Sequence, residues 1–437
     1  MPNELTISAD WERLDDGPAE ERACFAALGI RCGNIWLTEG SDAYVNRIRP
    51  TPLLSAYHLA QWLAWNWWRL RWEPRSRAAD WPFAHRLTAI GHGYVWPNIT
   101  IFSDGERTAL IAKPTQERDS TPFRYISDFA AVVASRHFES AVDTFVEQVR
   151  GQLRYEKVSE TNLDHVWEDV REERRDPDTA KRRKFEALLG WDADEADEAK
   201  VERLIADSKA LGEAAMNEVA ADHPQGGDLL TAGTLRDIAA HGGFDASPRD
   251  VVRLAPRTAP HRSPDVPAWR LGSAAARALR EQEKLGSGPI SNDTLGRLSG
   301  VHARTLTDLS PGPPISFALD NGVATGRVVL RSRWETGRRF DLARLLGDRI
   351  VGSSGGKLFP ATRAYTYRQK MQRSFAAELL APFEAVDEML AGDFSMEKQQ
   401  DAAAHFNVWE VTIRTLLVNH HRLEREELDG EFETAAA

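Results

Sequence analysis

The stretch Arg338 to Ile350, RRFDLARLLGDRI, sets charged side chains at helical spacing inside an apolar run. Arg344 and Asp348 stand four apart, so a helix projects them from one face. There they either form an ion pair or point separately to solvent. The Arg-then-Asp order is the less favourable one along a helix, and such an exposed pair contributes only about 0.3–0.5 kcal/mol. In a desolvated cleft its contribution takes either sign. Leu345 between them moves no proton, and Arg344 has no lone pair to give to a cation. One carboxylate beside a guanidinium does not hold zinc.

Other chemistry-bearing residues are more scattered. VGSSGGKLFP resembles a phosphate loop, but Val351 stands where glycine is required and Leu358 follows Lys357 in place of Ser or Thr. His85 and His92 lie seven apart with no cysteine nearby and read as hydrogen-bonded structural groups. His420 and His421 are adjacent, so on a helix they do not face each other. No G-x-S-x-G elbow is present. Cys24 and Cys32, the only two cysteines, have no CxxC spacing and are too few for a disulfide framework, which fits a reducing cytoplasm.

The elements that must carry these residues follow from length and periodicity. The chain has 437 residues, enough for two or three domains, and a net charge of −11, which excludes adhesion to nucleic acid through overall charge. Residues 1–150 are expected to form a Trp-rich α+β module. Alternating runs at 43–50 and 96–113 read as strands, the second turned at Asp104-Gly105, and 127–153 has helical periodicity. Leu53 to Trp72 is the longest apolar stretch. Its His58, Gln61, Asn66, Arg69 and Arg71 argue against a membrane span and for one buried amphipathic helix.

Seven of the fourteen tryptophans fall between Trp62 and Trp96, with Trp62, Trp65, Trp68 and Trp72 near one helix face. Such a stripe forms a core or an interface. The alternative is a stacking surface for nucleic acid or a partner built from Trp65, Trp68, Arg69, Arg71 and Arg75. Residues 151–225 read as highly charged, solvated helices. Residues 226–267 read as a linker, with the main domain boundary in the proline-rich stretch Pro256–Pro267. Residues 268–425 read as a mainly helical domain with a small sheet, and 426–437 as a flexible acidic tail. The helix-turn-helix rhythm around Asn407 places only Arg414 in the second helix, which disfavours DNA reading.

The C-terminal part resembles the ImmA/IrrE family of zinc metallopeptidases over roughly residues 268–423. Arg338, Arg339, Phe340, Leu342, Ala343, Leu346 and Gly347 stand in a phrase like RRF-x-L-A-H-E-L-G-H, and FAAELLAP at 375–382 stands in the family's second phrase. The resemblance implies a zincin-like fold. H-E-x-x-H binds zinc because histidines four apart share a helix face, while the glutamate takes a proton from metal-bound water. Here the first histidine position is Arg344, the general-base position Leu345 and the second histidine position Asp348. The family's third ligand falls on Gln369. The resemblance therefore implies a former peptidase scaffold with no metal, no cofactor and no hydrolysis, whose cleft recognises a protein segment. It also implies a partner linked to mobile elements, phage defence or a repressor circuit. Active peptidase chemistry with ligands drawn from His85, His92 or the terminal histidines is the competing expectation. The N-terminal 225 residues resemble no family.

Overall fold

Alternation builds the first sheet. In the computed structural model, which describes residues 4–115, 121–223, 227–263, 265–308, 312–352 and 356–424, strand Leu5–Trp11 buries Leu5, Ile7 and Ala9. It runs antiparallel to Phe25–Cys32 in unbroken register, from Leu5 opposite Cys32 to Trp11 opposite Ala26. A second sheet joins Ile99–Ser103, Arg107–Ala112 and Phe129–Ala134, and a third joins Arg47–Arg49, Gly40–Asp42 and Phe123–Tyr125. The turn at Asp104-Gly105 is present: Gly105 has φ +97°, and Asp104 Oδ1 accepts the Arg107 N–H at 2.8 Å. Helix Ser135–Tyr155 covers the core with Phe138, Val142, Phe145, Val149 and Leu153, all buried at three- and four-residue steps.

The chain divides into two compact units, Met1–Ile205 with Pro224–Gly227, and Ala206–His223 with Asp228–Ala437. Both are α+β, and the described strands lie in four small antiparallel sheets. Three sequence expectations change. Position 150 is no boundary, because it falls inside helix Ser135–Tyr155; helix Asn162–Arg175 adds Leu163 and Trp167 to the first core, where Trp167 meets Trp67 edge-on at 5.7 Å. Leu53–Trp72 is not one helix. It is a strand, Leu53–Ser55, then helices Ala56–Trp65 and Trp67–Trp72, interrupted at Asn66, whose side chain donates back to the Trp62 carbonyl at 2.9 Å.

The third change concerns 226–267. Thr231 caps helix Ala232–Gly242, and strand Phe244–Ala246 pairs with Gly326–Val329. The residues of this stretch beyond Val251 are irregular but lie inside the second unit, so the expected main boundary at Pro256–Pro267 is not where the units part. The strand escapes a sequence reading because three residues carry too little pattern to show. The second unit's sheet runs Phe244–Ala246, Gly326–Val329, Ser316–Asp320, Leu358–Ala361.

Three helices position the site beside that sheet: Ala268–Gln282, Glu335–Val351 and Tyr367–Leu380. Small residues set their approach. A Cβ at Gly347 would lie 2.6 Å from the Phe375 ring, and one at Gly272 would lie 2.3 Å from the Met371 carbonyl oxygen. The glycine of the first phrase and the phenylalanine of the second are therefore packing partners. Arg338 and Arg339 are buried and donate to backbone carbonyls, Arg338 to Thr305 at 2.8 Å and Arg339 to Ile290 at 2.8 Å. Helices Met396–Phe406 and Glu410–Asn419 turn at Asn407, which has φ +51°, and bury Ala402, Phe406, Ile413 and Leu416.

Candidate functional site

Helix Glu335–Val351 is buried over most of its length, and Arg338, Arg339, Asp341, Arg344 and Asp348 are carried inside with it. Arg344 is 4% exposed and Asp348 fully buried. Thr366 caps helix Tyr367–Leu380, its hydroxyl accepting the Gln369 N–H at 3.2 Å, and this fixes Gln369 at the first turn. Arg344 Nη2 donates to Gln369 Oε1 at 2.5 Å and to the Thr362 carbonyl at 2.6 Å. Gln369 Oε1 also accepts the Thr362 N–H at 2.9 Å, and its amide donates to the Pro360 carbonyl at 3.1 Å.

The ion pair between Arg344 and Asp348 does not form, and neither side chain points to solvent. Asp348 instead accepts from Arg368 on both oxygens, from Nε at 2.7 Å and Nη2 at 2.6 Å. The two-point carboxylate–guanidinium fork across helices is a stronger arrangement than an unfavourably ordered pair within one helix. Arg344 keeps only a 3.8 Å contact with Asp341, whose other oxygen accepts from Ser316 at 2.6 Å. Burial, followed by the like charge of Arg373, pushes Arg344 down to about 9, so it remains a cation at neutral pH. Leu345 is buried in the hydrophobic core.

Glu218 was not visible as a site residue from the sequence. It lies on helix Glu213–Ala221, is buried, and accepts from the Thr366 hydroxyl at 2.5 Å, with Arg368, Gln369 and Asp348 around it. Burial raises its carboxyl, opposed chiefly by the charge of Arg368. Its sequence signal is faint but real: EAAMNEVAA loses the charge density of the preceding helices and buries Ala215, Met216, Val219 and Ala220.

Arg368 thus pairs with Asp348 and Arg344 with the Gln369 amide, while Arg344 Nε stays buried without a hydrogen-bond partner. Both Asp348 oxygens are engaged, and Gln369 Oε1 has two donors. Among the described residues, no three or more His, Cys, Asp or Glu side chains converge in a way that could hold a metal ion.

The Trp/Arg set of the first unit is not assembled into one surface. Trp65 is 60% exposed, but Trp68 is buried and donates to Glu173 at 2.6 Å. Arg69 is 5% exposed and donates to Glu73 at 2.7 Å. Arg71 bonds Glu139 and the Gly105 carbonyl, and Arg75 is exposed. His85 is buried between the Ile101 carbonyl at 2.7 Å and Glu73 at 2.9 Å, as a structural group. His92 is exposed and stacks on His58 at 3.9 Å. His420 stacks on Phe383 at 3.6 Å. The acidic tail 426–437 and part of the VGSSGGKLFP loop lie outside the described residues.

Neither family models, nor curated proteins, nor solved structures match this chain. Among the described residues no helix is long and apolar enough to cross a membrane.

Proposed function

We propose that the second unit is a peptidase scaffold of the ImmA/IrrE type that has lost its metal chemistry, and that the chain is a non-catalytic, protein-binding or regulatory component. The observation that carries this reading is the Arg344–Gln369 hydrogen bond, with Asp348 committed to Arg368. At the three positions where the resemblance expects ligands, the donor atoms are turned to protein partners. A scaffold kept in this state serves recognition, so the partner is a protein segment, in a mobile-element, phage-defence or repressor-linked setting and in the cytoplasm.

The test is elemental analysis of the purified full chain, combined with identification of what co-purifies. The expected result is no stoichiometric zinc, no chelator-sensitive cleavage of the co-purifying protein, and a stable complex with it. One tightly held zinc per chain, or cleavage abolished by chelator, overturns the reading.

A further inference from the structure

Four guanidinium groups gather around the loop 362–366, which leads from strand Leu358–Ala361 into helix Tyr367–Leu380. Arg344 lies beneath it, bonded through Nη2, while its Nε is buried without a hydrogen-bond partner. Arg373 donates through Nη2 to the Arg363 carbonyl at 2.9 Å and the Ala364 carbonyl at 2.6 Å. Arg331 is half-buried and Arg363 exposed, and neither side chain has an ion-pair partner among the described residues. The carboxylates facing this group are Asp222, which accepts the Arg363 N–H at 3.0 Å, Asp341, held by Ser316, and Glu218, which acts on Arg373. Asp222 feels Arg363, Arg331 and Arg344, and Arg344 in turn feels Arg373 and Arg331. On the inner side, Arg368 is taken up by Asp348 and Glu218.

Four cations face three carboxylates, and Arg331 and Arg363, which have no ion-pair partner among the described residues, leave positive charge uncompensated on the side that opens to solvent. A guanidinium fork matches the two oxygens of a carboxylate or phosphate group, and a low-dielectric floor strengthens the attraction. We propose that Arg331, Arg363 and Arg373, above Arg344, form an oxyanion site, and that its occupant is a carboxylate of an acidic protein segment. This deepens the protein-binding reading and rests on it. A position that the resemblance assigns to a cation is then replaced by one selecting an anion, with Arg331 and Arg363 outside both family phrases and Arg344 and Arg373 inside them.

The experiment titrates the intact chain with a tetraglutamate peptide, inorganic phosphate and a tetralysine peptide, read by calorimetry at low salt. It is repeated on Arg331→Ser with Arg363→Ser, two solvent-facing changes whose fold is checked by circular dichroism and urea midpoint. Tetraglutamate is expected to bind, tetralysine not, and the double variant to lose about tenfold or more in affinity, a difference of about 1.4 kcal/mol. Absence of binding, or binding unchanged in the folded double variant, overturns the site. Binding of phosphate but not tetraglutamate overturns the acidic-segment occupant. If the co-purifying protein stays bound to the double variant, the oxyanion site fails while the protein-binding reading stands; loss of it from both forms removes that reading instead.

Discussion

Arg344 Nη2 donates to Gln369 Oε1 at 2.5 Å, joining helices Glu335–Val351 and Tyr367–Leu380 through two side chains at positions where the proposed peptidase scaffold expects ligands. The two positions therefore face each other, as the proposed scaffold requires of a ligand set. Arg344→His, Leu345→Glu, Asp348→His and Gln369→Glu in one chain are expected to bind one equivalent of zinc, measured by elemental analysis after dialysis, where the parent binds none. A variant that keeps the parent's helical spectrum but takes up no zinc removes the structural footing of the resemblance.

Asp348 and Arg368 form a two-point ion pair in which Asp348 is fully buried. Removing one partner leaves a charge without compensation, whereas removing both together costs far less. Arg368→Met is expected to lower unfolding free energy by about 3–5 kcal/mol. Arg368→Met with Asp348→Leu should recover much of that loss. Urea denaturation of the two variants decides it, and equal midpoints would show that the pair contributes no coupling.

The pH response of the second unit follows from Glu218. Its carboxyl is raised above the ordinary value of 4.5 by burial. Between that value and the folded one, the folded state binds more protons, so stability falls as pH rises through the window. Glu218→Gln keeps an acceptor for the Thr366 hydroxyl and removes the ionisation. Urea midpoints of Glu218→Gln are expected to decline less steeply with rising pH above 4.5 than those of the parent, and to exceed them at pH 7. A parallel pair of curves would mean that Glu218 ionises without penalty.

What the sequence revealed, and what it hid, has a physical pattern. The α+β class, the hairpin at Asp104-Gly105 and the turn at Asn407 were readable because each rests on local spacing or backbone preference. The same locality failed for pairings. Arg344 chose Gln369, twenty-five positions away, over Asp348, four away. Glu218 reaches the site across 148 positions, through Thr366. Asn66 split an apolar stretch by one side-chain hydrogen bond, which periodicity does not register.

The first unit offers a separation of stability from binding. Arg69 is buried on Glu73, which also bonds His85, so this guanidinium supports the fold. Arg69→Ala is expected to cost about 3–5 kcal/mol in urea denaturation. Arg75→Ala, at an exposed position, should stay within about 0.5 kcal/mol of the parent. Any single-stranded DNA shift must then be tested with Trp65→Ala and Arg75→Ala, because loss of a shift in an Arg69 variant would report unfolding. A shift that survives both exposed changes would rule out a stacking surface at this face.

Cys24 supplies a reporter of the same unit's integrity. Its thiol is fully buried against the Val149 carbonyl, and burial, reinforced by Glu156 and Glu20, raises it to about 12. Burial raises Cys32 as well. The thiolate is the reactive species, so the native chain is expected to resist iodoacetamide at pH 8 at both positions. In denaturant both should alkylate, and intact mass then rises by two adducts. At intermediate urea, labelling of Cys24 should follow the opening of the core formed by strand Phe25–Cys32 and helix Ser135–Tyr155, in step with loss of tryptophan fluorescence. Rapid labelling of Cys24 in the native chain at pH 8 would show that this core opens without global unfolding.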